Sequence, residues 1–167
     1  PPARGFADTS MTDVAGEADV TRVLLYRHFD SKEALYRAVL DRVVELLHDT
    51  WQNLDHTDTP GTAMRAHLVV ARIDPDGYRL LWHHAETEPA FAAYAHEIRA
   101  LLEAMADERV GAAIKPDLRS WAAAMLVSTI VESVLTWLAH GDPLHDEQFI
   151  ATSGHGLVRM VDGWSEG

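Results

Sequence analysis

An apolar residue recurs at every fourth position from Leu35 to Trp51: Leu35, Val39, Val43, Leu47 and Trp51. Steps of four trace one face of an α-helix, whereas strand side chains alternate every second residue. A stripe of that length must face another surface. The same period runs through the rest of the chain, and no run of β-branched residues alternates with polar ones, so an all-α fold is expected. Proline supplies the punctuation. Thr59-Pro60, Asp74-Pro75, Glu88-Pro89 and Lys115-Pro116 each place proline at a predicted helix start, where its missing N–H is tolerated, while His140-Gly141 and Asp142-Pro143 mark an end and a turn. These signals predict helices over residues 10–16, 21–27, 31–54, 61–72, 75–85, 89–114, 116–139 and 146–164. Asp30 with Glu33 fits a capping box at the start of the long third helix.

Composition narrows the possible functions. A chain of 167 residues buries roughly 70% of its unfolded surface and can hold a core without covalent staples. It has no cysteine, which excludes disulfides, thiolate nucleophiles and Cys-ligated zinc. Apolar runs such as residues 121–127 fall well short of the roughly 20 residues of a membrane span. Residues 1–13 hold no apolar stretch of signal-peptide type. A soluble, cytoplasmic protein with no membrane partner is expected. There is no nucleophile elbow, no HExxH and no phosphate loop, so neither catalytic residues nor a cofactor is expected. His83, His84, Glu86 and Glu88 suggest a metal only weakly, because adjacent helical residues diverge by about 100°. No metal site is expected.

The net charge is −12, yet it is unevenly spread. Residues 1–42 hold six basic and seven acidic side chains, and residues 21–37 hold four basic against two acidic, with His28 in addition. One short basic segment therefore stands on an acidic molecule. The surrounding acid would confine any contact with polyanions to that end.

The same end has the parts of a helix-turn-helix. Ala15 is small where two helices would approach, Asp19 and Val20 form a turn, and Leu25 packs back on the first helix. Met11, Val14, Ala18 and Phe29 complete a small core. The second helix presents Thr21, Arg22, Val23, Tyr26 and Arg27 outward, with one strong base-edge donor in Arg22. Any helical hairpin can imitate this pattern. The order TSMTDVAGEADVTRVLLYRHFDSKEALYRAVL, residues 9–40, however, resembles the DNA-binding signature of the TetR/AcrR regulators, above all in Tyr26-x-His28-Phe29 followed by Ser31-Lys32-Glu33-Ala34-Leu35.

That resemblance implies roles for individual residues. Thr9 and Ser10 would contact phosphate through hydroxyls and helix N-terminal amides. Thr21 and Arg22 would read bases or adjacent phosphates, and Val23 and Leu24 would meet thymine methyls. Tyr26, His28 and Lys32 would clamp phosphates. Two departures stand out. Where the family usually has a turn glycine this chain has Asp19, which tolerates a left-handed backbone less well than glycine. The family also carries a helix before the motif, whereas only residues 1–8 precede it here.

By the same resemblance, residues 1–42 would form the DNA-binding head and residues 43–167 a ligand-binding and dimerisation body. The residues support a dimer separately. Residues 121–138 are apolar nearly all round, including Ile130, Val134 and Trp137. The last helix sets Phe149, Ser153, Gly156, Leu157, Met160 and Trp164 on one face, small residues among large. Two such helices per subunit could form a four-helix, two-fold interface, although the same pattern also fits an ordinary core. Candidate lining residues for an effector pocket are Trp51, Met64, His67, Trp82, Phe91, Tyr94, Trp121 and Met125, which would suit an apolar or aromatic ligand. The expected function is a regulator, a repressor on a palindromic operator, released by a small molecule. The alternative is a helical small-molecule-binding dimer that has lost DNA binding.

Overall fold

The computed structural model of the protein describes residue 6 and residues 9–55 and 61–166. Among these every regular element is helical. The order is α1 (Met11–Glu17), α2 (Arg22–His28), α3 (Lys32–Asn53), α4 (Thr62–Ile73), α5 (Pro75–Arg79), α6 (Ala92–Val110), α7 (Arg119–His140) and α8 (Asp146–Glu166).

Side-chain caps set the helix starts in the head. Ser10 and Asp13 form a reciprocal capping box on α1: the Ser10 N–H donates to Asp13 Oδ2 at 2.8 Å and the Asp13 N–H donates to Ser10 Oγ at 3.2 Å. Thr21 accepts from the Leu24 N–H at 3.2 Å and caps α2. The long helix α3 is capped by Ser31, whose hydroxyl accepts from the Ala34 N–H at 3.1 Å. The expected Asp30–Glu33 box is not the cap, because Asp30 lies one residue too early. Of the proline starts, Pro75 opens α5 behind Asp74, which accepts from the Gly77 N–H at 2.9 Å. Pro89 and Pro116 instead sit in turns three residues ahead of α6 and α7. Pro60 lies outside the described residues.

The turn between α1 and α2 bears out the expectation about Asp19. Its φ is +51°, the one positive φ among described non-glycine residues. The Asp19 N–H donates to the Gly16 carbonyl at 3.3 Å and the Val20 N–H to the Ala15 carbonyl at 3.0 Å. That pair of bonds is a Schellman closure, which requires a left-handed residue at this position.

The core forms where α7 packs against α4 and α6, with α3 across α4 and α8 against both α4 and α7. Leu40, Val43, Met64, Val70, Tyr78, Val131 and Val134 are fully enclosed, and burying each aliphatic side chain contributes roughly 1.5–3 kcal/mol. On α3 the buried face is Tyr36, Leu40, Val43 and Leu47, while Leu35, Val39 and Trp51 are half-buried, so the stripe is rotated from the expected one. Gly77 lets α5 touch α3: a Cβ there would lie 2.8 Å from Val43 Cγ2. The predicted helix 75–85 is interrupted by a π-helical turn at Leu80–His84, which turns Leu81, Trp82 and Ala85 together into the core. Asp146 ties three helices. It accepts from Arg72 of α4 at 2.7 and 2.9 Å and from the Trp137 Nε1–H of α7 at 2.6 Å. The Arg72 bonds are the main reason its carboxyl lies below the ordinary aspartate value.

The helix α7 spans 22 residues with a mean hydropathy of 1.7 over its most apolar window, enough by length and composition to cross a membrane. The sequence expectation took its apolar stretches to be too short. Here α7 is the helix that α4, α6 and α8 surround on one side.

Candidate nucleic-acid interface and ligand cavity

The helix α2 buries no residue fully. It packs against α1, where Met11 and Ala15 are buried. Leu25 and the C-cap Phe29 of α2 are half-buried, while Ala18, expected in this core, is the exposed C-cap of α1. The rest of α2 faces outward. Val23 is 79% exposed, and Arg22, Leu24, Tyr26 and His28 are exposed beside it. An apolar residue left so open on a seven-residue helix is available to a partner surface rather than to the subunit core. The Arg22 guanidinium lies 5.2 Å from the Tyr26 ring centroid, and its Nη2 donates to Tyr26 Oη at 3.5 Å. This holds the strongest donor of the face alongside a phenol. The hydroxyl of Thr21 accepts the α2 cap bond but retains its proton for a second partner.

Two candidate phosphate ligands are engaged within the chain. The Ser10 hydroxyl donates to Asp13 Oδ2 at 2.7 Å. Lys32 Nζ donates to the Phe6 carbonyl at 2.7 Å and lies 4.1 Å from the Phe6 ring centroid. Thr9 is half-buried next to Ser10.

The base of the head is joined to the body by aromatic rings. Tyr36 of α3 stacks on Phe91 at 4.2 Å, and Phe6 meets both edge-on at 5.1 and 5.2 Å. One turn further along α3, Asp41 Oδ1 accepts from the Tyr94 hydroxyl at 2.7 Å and from Arg37 Nε at 2.9 Å, while the Arg37 guanidinium lies 3.6 Å from the Tyr94 ring centroid. Burial opposes the Asp41 charge, but the bonds from Tyr94 and Arg37 outweigh it and hold the carboxyl below its ordinary value. Burial, then the bond to Asp41, push the Tyr94 phenol up to about 12. Phe91 and Tyr94, expected to line a pocket, therefore clamp α6 to α3.

A cavity of about 210 Å³ opens between α3, α4, α6 and α7. Val44, Leu47, His48 and Trp51 line it from α3, Ala63, Ala66 and His67 from α4, Ile98, Leu101, Leu102, Met105, Ala106 and Arg109 from α6, and Val127 and Ile130 from α7. Of the predicted lining residues only Trp51 and His67 belong to it. Met64 and Trp82 are filled core. Trp121 and Met125 point out of the subunit, 49% and 38% exposed, with Trp121 edge-on to Trp164 at 5.0 Å. The largest group of missed residues lies on α6, where Ile98, Leu101, Leu102 and Met105 are the apolar signal the sequence offered.

His48 and Arg109 are exposed, whereas His67 is the buried polar residue in the wall. Its Nδ1 lies 2.8 Å from the Tyr78 hydroxyl. Burial pushes the imidazole down to about 4 and the Tyr78 phenol well above its ordinary value, so both are neutral near pH 7. Among the described residues no group of three or more His, Asp or Glu side chains could hold a metal, and His83 instead faces Glu132 at 3.5 Å.

The candidate interface residues on α7 and α8 divide. Ile130 and Val134 are buried within the subunit and cannot meet a second copy. Trp137 and Phe149 stack on each other at 4.8 Å and are half-buried, as are Ser153, Leu157, Met160 and Trp164, whereas Gly156 is exposed.

An exposed two-helix reader ahead of a helical body defines a helix-turn-helix DNA-binding regulator, and comparison with known proteins agrees. Residues 3–39 match the profile of the bacterial regulatory proteins of the tetR family. The HTH-type transcriptional activator FasR of Mycolicibacterium smegmatis is 31% identical over 159 residues, an alignment that spans 88% of this chain and 71% of FasR. The HTH-type transcriptional repressor Rv3405c of Mycobacterium tuberculosis is 36% identical over 80 residues, 45% of this chain and 40% of that protein. Two solved structures share the fold. A transcriptional regulator from Rhodococcus sp. Rha1 superposes with a TM-score of 0.64 at 17% identity, covering 93% of this chain and 87% of that one. A TetR/AcrR-family regulator from Thermobifida fusca superposes with a TM-score of 0.53 at 17% identity, covering 92% and 89%. The chain belongs to the tetR family of bacterial regulatory proteins, which are DNA-binding transcriptional regulators and not enzymes.

Proposed function

We propose that this chain is an effector-responsive regulator that binds a palindromic operator as a homodimer and is released by a small apolar or aromatic molecule held in the α3–α4–α6–α7 cavity. The observation that carries this is the path of α3. One unbroken helix begins at the head with Lys32, is clamped to α6 at Tyr36 and Asp41, and lines the cavity from Val44 to Trp51. A molecule that separates α6 from α3 would therefore tilt the helix that carries the head, and so favour the form with wrongly spaced readers.

In this proposal residues 1–42 are the head and residues 43–167 the body. Arg22, Val23 and Leu24 meet base edges, and Thr9, Ser10, Thr21, Tyr26 and His28 meet phosphates. Lys32 joins them by exchanging the Phe6 carbonyl for a phosphate oxygen. The dimer forms on the outward face of α7 and α8, where Trp121, Met125, Gly156 and Trp164 lie, and its two-fold axis makes the operator palindromic. Repression is the sign proposed, through a dimer that covers a promoter. The names of the relatives include both signs, activator for FasR and repressor for Rv3405c. A cytoplasmic location follows from contact with the chromosome.

The test is a gel shift of the protein on its own upstream DNA across a salt series. A specific complex is expected, with log affinity falling by roughly 0.9 per phosphate contact for each decade of salt. Arg22→Ala should cost about 1–3 kcal/mol of sequence-specific binding. Absence of any specific complex at low salt would refute DNA binding and favour the second reading, a dimer that only binds small molecules. The inward-turned Lys32 is the observation on that side.

A further inference from the structure

The cavity wall is apolar apart from its rim and one inner group. His48 and Arg109 are exposed at the rim, and Arg109 lies 4.7 Å from the Trp51 ring centroid. His67 is inside, held on its far side by Tyr78 and Trp82, whose ring centroids lie 6.0 and 6.1 Å away.

The hydrogen-bond inventory fixes which nitrogen of His67 carries the proton. The Tyr78 hydroxyl is buried, and among the described residues its one partner is His67 Nδ1 at 2.8 Å. If Nδ1 carried the proton, the phenol would accept it and its own hydrogen would have no acceptor, a costly state for a buried donor. If Nδ1 is bare, the phenol donates to it and both groups are satisfied. The ring is neutral, so its proton must then sit on Nε2. That N–H has no partner among the described residues, and it is the polar edge that His67 leaves to the cavity.

Building on the effector site of the preceding section, we infer that the cavity takes a small, uncharged, mostly apolar molecule with one hydrogen-bond acceptor, and that the His67 Nε2–H donates to that acceptor. Size sets a second bound. An apolar cavity of about 150 Å³ holds benzene, and this one is 210 Å³. The fit is therefore to a molecule of fused-bicycle size. No lining residue at the inner end is cationic, and Arg99, which lies over Trp82, is already paired with Glu86, so a carboxylate there would be desolvated without a free counter-charge and a carbonyl or ether oxygen is the acceptor that fits.

The experiment compares 1-indanone with indane, two molecules of like shape that differ by the ketone. Dissociation constants are measured by calorimetry on the full chain without DNA, for wild type and His67→Phe. Because the ketone is better hydrated, the quantity read is the ratio of the two constants in wild type relative to that in the variant. We expect the preference for the ketone to fall about tenfold in His67→Phe, the worth of one neutral hydrogen bond. In parallel, ¹⁵N spectra of the histidine rings in the wild-type protein should show His67 as the neutral Nε2–H tautomer, a readout that needs no variant to fold. An Nδ1–H ring, a ratio unchanged by the substitution, or no binding of either probe would each overturn the inference. Probe discrimination that persists while the operator complex ignores both probes would refute the effector role alone and leave the cavity assignment standing.

Discussion

Acidification should weaken the fold through His67, and the sign follows from linkage. Burial lowers its value from 6.5 to about 4 in the folded protein. As pH falls below 6.5 the unfolded chain takes up a proton that the folded chain refuses. Stability from this site is therefore complete above the unfolded value and is lost as pH falls toward about 4. At about 1.4 kcal/mol per tenfold the whole effect is roughly 3 kcal/mol, of which about 2 kcal/mol is already gone at pH 5. The window matters, because Asp41, Asp146 and Glu147 have lowered values too, and their stabilisation is lost below ordinary carboxyl values of 3.8–4.5. Between pH 7.5 and 5 the imidazole dominates. The assay is urea unfolding at both pH values and one fixed protein concentration, for wild type and His67→Phe. The variant should start less stable by about 1–3 kcal/mol, because the Tyr78 hydroxyl loses its partner. It should nonetheless lose about 2 kcal/mol less than wild type on acidification. Equal losses in the two proteins would refute a buried neutral imidazole, and with it the burial that the fold assigns to α4.

Substitutions at three further positions probe the head, the clamp and the outer face. Asp19→Asn keeps a residue that tolerates φ of +51° and removes a negative charge beside α2, so operator affinity should rise a few-fold at low salt with Tm unchanged, whereas Asp19→Val should cost about 1–2 kcal/mol in thermal unfolding. Tyr94→Phe deletes the 2.7 Å bond to Asp41 and should reduce stability by about 1 kcal/mol. If α6 drives α3 through that bond, it should also blunt the effector's release of DNA in a gel shift, and an undiminished response would exclude this route. A Cβ added at Gly156 meets nothing within 4 Å inside the subunit, so in Gly156→Leu helix content by circular dichroism should hold while sedimentation velocity shows a monomer. A dimer that survives would place the interface elsewhere.

Much of the fold was legible because the signals are local. Caps, prolines and apolar period located seven of the eight helices to within a few residues at each end. The turn chemistry was legible for the same reason: Asp19 sits where a Schellman closure demands positive φ, and a sequence can show the missing glycine. The π-helical turn at Leu80–His84 was not legible. Nothing in Leu-Leu-Trp-His-His distinguishes a continuing α-helix from one with an extra residue, and the choice is made by core packing that draws Leu81, Trp82 and Ala85 to the same side. The shift of the α3 stripe from Leu35 and Val39 to Tyr36 and Leu40 has the same origin. The aromatic contact of Tyr36 with Phe91 sets the helix rotation, and its partner is 55 residues away.

The two candidate functional surfaces differ in legibility for a physical reason. The reader on α2 is made of side chains that have nothing to pack against, and exposure on a short helix follows from pattern alone. A cavity is a place that side chains fail to fill, and which aromatic residues fill space depends on all of the helices at once. Trp82 and Met64 were as plausible as Trp51 in the linear chain, yet the first two are enclosed and only the third borders the void. Phe91 and Tyr94 were drawn into the expected pocket by their chemistry, and the fold uses that chemistry for the clamp between α6 and α3 instead. This displacement gives the clamp its meaning for function. The rings expected to touch an effector touch the reader's own helix, so under the proposed response an occupant of the cavity would act on the head through α3, either against Val44, Leu47 and Trp51 directly or by moving α6 against Tyr36 and Asp41. In the proposed mechanism these two contacts stabilise α3 whether or not an effector is present, so a substitution that loosens them should alter the response more than the affinity for DNA.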